Sequence, residues 1–224
     1  RTLGDLTDPA ANAIAEDKHL TKAALKRAGV RTPDGIVIEK GQTALIEKFL
    51  AQNPEKRFVV KPFDGSLAKG VDADISPEQV MNSIGKYGGR VMLEEHIAGA
   101  EYRATVVDGH CVAVTHRLRP YIRGDGRSSI AQLLEALNKG SESSPYWGGV
   151  KDKAALTSYL SRQDYTIRSV PGAGDEVCLS NTSYGVQHED VTDFSGDVLR
   201  NAVERAARSI GLVTTGIDVI MASS

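Results

Sequence analysis

A chain of 224 residues, with 41% apolar and 25% charged content and a formal net charge of −2, can build one good core or two small ones, which excludes disorder as its main state. Its 27 Lys and Arg against 29 Asp and Glu give no whole-molecule attraction for nucleic acid or anionic lipid, so any phosphate must be gripped locally. No window nears the roughly 18 consecutive apolar residues of a membrane span, and the opening at Arg1 shows no signal core or Arg-rich presequence, so a cytoplasmic location away from membranes is expected.

In chain order, residues 17–28 carry Leu20, Ala24, Leu25 and Ala28 at helical steps, and Gly29 stands where a helix stops. Residues 35–39 (GIVIE) read as a strand, 42–51 as a helix, and 57–62 (RFVVKP) as a strand running up to its proline. A glycine-bearing loop, 64–71, comes next. Ser76, Pro77 and Gln79 supply start chemistry for a helix reaching about Lys86, and 90–95 (RVMLEE) is again a strand.

Past His96 the texture changes to alternating strands, EYRATVV and HCVAVTHR, joined by Asp108 and Gly109, a strong two-residue hairpin signal. A glycine turn at 124–126 leads into a helix over 129–138, and 139–149 reads as an exposed loop. Residues 153–160 are helical, EVCLS is a strand, 197–210 is a helix and 214–221 a closing strand. The class is α+β, with the best internal boundary at 97–100, dividing the chain into 1–97 and 98–224. Cys111 and Cys178 lie in apolar runs and read as small buried hydrophobes, and no Cys/Cys or Cys/His pair has zinc-ligand spacing.

One stretch, VVKPFDGSLAKGV, places Lys61 at the end of an apolar strand before a loop offering backbone N–H groups, a combination able to grip polyphosphate. It is neither a Walker A loop nor G-x-G-x-x-G, and taken alone it reads as a surface hairpin with a solvated lysine. A second stretch, LEEHIAGAEYR, ends one strand in two acids and starts another with Glu101 and Arg103 on one face. Lys18, four residues before Lys22 on the same helix face, reads by itself as a solvated lysine.

Taken in order and spacing, EDKHLTKAALKRAGVRTP, FVVKPFDGSLAKGV, LEEHIAGAEYRATVVDG, RLRPYIRGDGRSSI and GIDVI resemble the ATP-grasp superfamily of carboxylate–amine ligases, over residues 15–221. Within it the look is nearest to the ATP-grasp modules of cyanophycin synthetase and bifunctional glutathione synthetase. The resemblance implies two α+β subdomains clasping ATP between them and a ligase that works through an acylphosphate with ATP and Mg²⁺. It implies a small carboxylate substrate and an amine acceptor, amino acids or small peptides, and leaves room for a homo-oligomer or further domains outside this chain.

Position by position, the resemblance implies that Lys18 and Lys61 touch the α- and β-phosphates. A flap at 64–70, with Asp64, Gly65, Ser66, Lys69 and Gly70, would cover them. Glu94, Glu95 and Ile97 would line the adenine, the latter two mainly through backbone, and Glu101 would accept from the ribose. Arg103 and Arg117, with Lys61, would serve catalysis, Asp218 would bind magnesium, and Asn181 and Ser183 would lie near the acceptor substrate. Asp218 sits in an apolar strand, so a buried charge there is expected to need a cation or several donors.

Two departures stand out. Val186 replaces a glycine of the relatives' S-T-G-G stretch, and the given sequence stops at Ser224, before the Glu-x-Asn strand that completes the metal site in the relatives. The expectation is therefore either a fragment or an incomplete metal site. The competing reading is a nucleotide-binding module without turnover.

Overall fold

The computed structural model describes residues 8–63, 70–141, 149–150, 153–180 and 188–222. The chain divides into two units, Arg1–His116 with Asp190–Ser224, and Arg117–Glu189.

The first unit opens with α1 (Pro9–Glu16), which the sequence reading left out, and α2 (Lys18–Arg27). The Asp8 carboxylate accepts from Ala10 N–H, and the Asp17 carboxylate accepts from the N–H groups of His19 and Leu20 at 2.7 and 3.0 Å, satisfying orphan donors at each helix start. Gly29, at φ +69°, then turns the chain out of α2.

β1 (Gly35–Ile38), α3 (Thr43–Ala51), β2 (Phe58–Pro62), β3 (Asp72–Ile75), α4 (Pro77–Ile84) and β4 (Val91–Glu95) follow. The strands form a sheet in the order β1-β4-β2-β3, each neighbouring pair antiparallel. Alternation sorts its two faces. Ile38, Phe58, Val60, Ile75, Val91 and Leu93 face Ile46 of α3 and Val80 of α4 and are buried with them. Glu94, Lys61, Val59 and Met92, in the other phase, face away from those helices. The Ser76 N–H donates to the Gln79 amide oxygen at 2.9 Å, the start chemistry expected for α4.

Next come β5 (Gly99–Val107) and β6 (His110–Arg117), joined through Asp108 at φ 48° and Gly109 at φ 77°, the doubly left-handed turn that a Asp-Gly pair favours. The second unit holds β7 (Tyr121–Arg123), α5 (Ile130–Ser141), α6 (Lys153–Ser161) and β8 (Glu176–Cys178). β7 pairs antiparallel with β8, and Ile122, Ile130, Leu156, Leu160, Val177 and Leu179 make its core. Asp125 shapes its entry turn, accepting from the N–H groups of Arg127 and Ser128 and from the Ser128 hydroxyl.

The chain re-enters the first unit through β9 (His188–Asp190), then α7 (Asp197–Ile210) and β10 (Thr214–Ala222). The second sheet runs β10-β5-β6-β9, with nine register pairs between β10 and β5. α7 lays Leu199, Val203 and Ala207 on Ala104, Val106 and Val114, with Tyr102, Ile217 and Val219 packed beside them. Glu101, Arg103 and Asp218 therefore occupy the opposite face. Cys111 is buried in this core, as expected, while Cys178 is half-buried. The fold is α+β, as the sequence indicated, and among the described residues no helix is long and apolar enough to cross a membrane.

Candidate functional site

The predicted residues gather into two groups in the first unit. The first lies on the face of the β1-β4-β2-β3 sheet turned away from α3 and α4. Glu94 pairs laterally with Val59 on β2 and Gly35 on β1, which places Lys61 on the diagonal, close enough to reach its carboxylate. Lys61 bonds Glu94 Oε2, and Lys22, projecting from α2, bonds Glu94 Oε1. Lys22 also donates to the Pro33 carbonyl at 2.6 Å.

The Glu94 side chain keeps only 6% of its surface exposed, against 19% for Lys22 and 28% for Lys61. Burial pushes its pKa up, but the charges of Lys61 and Lys22 and the hydrogen bonds from both outweigh that push, and the carboxyl is held below the ordinary glutamate value. Gly35 makes the arrangement possible. A Cβ there would stand 2.7 Å from Glu94 Cγ and 2.7 Å from the Leu93 carbonyl oxygen, so a side chain at this position would occupy the room Glu94 needs.

Lys18 is not a solvated lysine. Its ammonium donates to the Phe63 carbonyl and lies 5.7 Å from the Phe63 ring, whose centroid the Arg90 guanidinium approaches to 4.3 Å. Both helix lysines thus reach the β2 region, one to its end and one to the carboxylate beside it. Glu95 takes Lys56 at 2.5 Å and the Asp34 N–H at 2.9 Å, and its own N–H donates to the Asp34 carbonyl at 2.8 Å. Ile97 lies in the connector between β4 and β5, half-buried. Gly70 has φ +69°, and the Tyr87 hydroxyl donates to its carbonyl.

The second group is on β5 and β10. Arg103 and Asp218 are register partners, and Arg103 Nη1 donates to Asp218 Oδ1 at 2.8 Å. Gly216 gives that guanidinium its place, since a Cβ there would come within 2.4 Å of Arg103 Nε. The Asp218 side chain is 61% exposed, so the expectation of a buried charge is corrected: alternation turns it off the apolar α7 face and toward solvent. Glu101, two residues before Arg103, is on the same face.

Arg117, at the end of β6, belongs to the second unit, where it faces His188, whose pKa is lowered by burial first and by the Arg117 charge second. Asp64, Gly65, Ser66, Lys69, Asn181 and Ser183 lie outside the described residues. Among the described residues no three His, Cys, Asp or Glu side chains gather as a metal cluster. The Asp218 carboxylate is largely exposed with Oδ1 engaged by Arg103, so a magnesium ion held there would take that one protein carboxylate and complete its shell with phosphate oxygens and water.

Lys22, Gly35 and Gly216 were not found from the sequence. The i, i+4 spacing of Lys18 and Lys22 is visible there, but nothing local to either lysine says that one of them ends on a buried acid.

The ATP-grasp domain family matches residues 15–126, half of the 224-residue chain. The chain belongs to the ATP-grasp family. It is 31% identical over 230 residues to the cyanophycin synthetase of Trichormus variabilis, covering 98% of this chain and 25% of that protein. It is 28% identical over 218 residues to the glutathione biosynthesis bifunctional protein of Streptococcus agalactiae, covering 92% and 29% respectively. The crystal structure of a bifunctional glutathione synthetase from Pasteurella multocida superposes with a TM-score of 0.61 at 22% identity, covering 99% of this chain and 31% of that one, a likeness of fold. The chain spans about a quarter of the length of the curated relatives it matches.

Proposed function

We propose that this chain is the ATP-binding module of a carboxylate–amine ligase that makes an amide or peptide bond through an acylphosphate, with amino acids or small peptides as acid and amine. The observation that carries the reading is the lysine–glutamate–lysine cluster of Lys22, Glu94 and Lys61, found in a chain of the ATP-grasp family. A cluster with two cations and one anion keeps a net positive charge, which suits it to polyphosphate.

In this reading Lys61 and Lys18 face the α- and β-phosphates, Glu94, Glu95 and Ile97 border the adenine, and Glu101 accepts from the ribose. Residues 1–97 and 98–224 both contribute groups. Asp218 would hold Mg²⁺, which when bound neutralises phosphate charge. A substrate carboxylate oxygen attacks the γ-phosphorus and ADP leaves. The amine then attacks the acyl carbon, phosphate leaves with the C–O bond electrons, and the amine proton goes to solvent. Arg103 would stabilise the charge that develops on the acylphosphate, a role the resemblance also gives to Arg117. No side chain has to act as a covalent nucleophile, so catalysis rests on positioning and charge neutralisation.

The engagement of Asp218 by Arg103 supports a second reading, a nucleotide-binding module without turnover. Two measurements on the full natural polypeptide separate the alternatives. Titration with MgATP tests the nucleotide site, where Lys61→Ala is expected to lose about 1.5 to 3 kcal/mol, the range for a hydrogen bond to a charged group. Acid-dependent ADP release, with hydroxylamine trapping the activated acid, tests ligation. ATP binding without ADP release for any amino acid or small peptide would favour the binding module, and no ATP binding would remove both.

A further inference from the structure

The two lysines on Glu94 are held differently. Lys22 is fixed from two sides, by Glu94 Oε1 and by the Pro33 carbonyl at 2.6 Å. Lys61 is the more exposed of the two, and among the described residues its ammonium is held by Glu94. An anion arriving at this face therefore meets Lys61, while Lys22 stays behind the carboxylate. Resting on the ATP-binding reading above, we propose that Lys22 is a positioning residue, which keeps Glu94 ionised and in place while Lys61 turns part of its hydrogen bonding to a nucleotide phosphate.

The argument is one of charge conservation in a buried place. With both lysines present, Glu94 keeps a counterion whichever way Lys61 turns. With Lys22 gone, a phosphate that draws Lys61 away leaves a carboxylate that is 6% exposed without a partner, and such a group regains neutrality by taking a proton. Lys22 would then be the reason that nucleotide can bind here without proton uptake. Among the described residues, the charged groups around Glu94 are these. Lys61 comes from β2 and Lys22 from α2, β1 presents Gly35, and Asp34 just before β1 acts on Lys22 while paired with Lys26 at 2.9 Å.

The test is calorimetric titration of MgATP into the wild-type chain, Lys22→Met, Lys22→Gln and Lys22→Arg, between about pH 6.5 and 8.5 and in two buffers of different ionisation heat. Comparing proteins cancels the titration of ATP itself. Both neutral variants are expected to bind at least about tenfold more weakly at the alkaline end and to take up an additional proton, with affinity falling by up to about tenfold per pH unit as pH rises. Lys22→Arg should restore wild-type proton uptake, and adding Glu94→Gln to Lys22→Met should abolish the extra proton. A purely structural lysine would alter affinity without altering the proton count. A folded Lys22→Gln or Lys22→Met chain with wild-type proton uptake overturns the proposal while leaving ATP binding intact. A wild-type chain that binds no ATP overturns the nucleotide reading and this inference together.

Discussion

Removing the Glu94 side chain is the most informative stability experiment on this fold. Glu94→Ala leaves two ammonium groups, 19% and 28% exposed, facing each other across an empty place. Taking one partner from a buried ion pair costs about 3–5 kcal/mol. Both lysines retain some hydration, which brings the cost to the lower end of that range or somewhat below it, about 2–4 kcal/mol. For a chain of this size each kcal/mol moves the melting temperature by about 2–4 °C, giving a fall of roughly 4–16 °C at neutral pH. Glu94→Gln, which keeps the shape and one acceptor, should lose roughly half as much.

The pH dependence carries its own sign. Because the folded pKa of Glu94 lies below its ordinary value of 4.5, its contribution is complete above that value and is lost as pH falls through the lowered folded value. Thermal melts of parent and Glu94→Ala by circular dichroism should therefore differ at pH 7 and converge in acid. A variant melting within about 2 °C of the parent at neutral pH, or an equal gap at both ends of the pH range, would refute the reasoning.

Gly35→Ala should destabilise by about 1–3 kcal/mol in denaturant unfolding, since one of the atoms its Cβ meets at 2.7 Å is the Leu93 carbonyl oxygen, which cannot swing aside. An unchanged midpoint would mean the strands separate easily. Asp218→Asn should alter stability by less than about 1 kcal/mol, because its ion pair is largely exposed, while MgATP-dependent ADP release falls at least about tenfold. An unchanged rate would take Asp218 out of the metal assignment. The Asp125 carboxyl should titrate by NMR with a midpoint of about 2, held down first by the Ser128 hydroxyl and then by the N–H groups of Ser128 and Arg127. A midpoint at the ordinary 3.8 would show that the turn does not persist in solution.

What could be read from the chain, and what could not, follows the range of the forces involved. α2 declares itself by its apolar steps and Gly29, and the β5–β6 hairpin by its Asp-Gly pair, because each signal is complete within a few residues. α1 has a legible start in Asp8 and Pro9, but its body, PAANAIAE, has a single large apolar residue, so no period shows. It packs against α7 through small groups, with Ala11 Cβ 3.5 Å from where a Cβ on Gly211 would be. β3 is four residues, DADI, and is a strand because β2 offers it an edge. Lys61 and Glu94 were visible as site residues through motifs. Lys22 was not, since its role depends on a carboxylate on β4, the fourth strand after it in the chain.

The nine-pair ladder between β5 and β10 sets a schedule for biosynthesis. More than a hundred residues, including the whole of the second unit, separate Val107 from its partner Thr214 on β10. At translation speeds of 5–20 residues per second, β5 waits on the order of ten seconds for that partner. During the wait its outer edge is an open template for wrong pairing. The side chains on that edge include Glu101 and Arg103, and charged residues on an exposed strand discourage association with another chain. The same two residues proposed to meet ribose and acylphosphate in the finished protein would thus guard the growing one, and the Arg103–Asp218 pair closes only when β10 has left the ribosome.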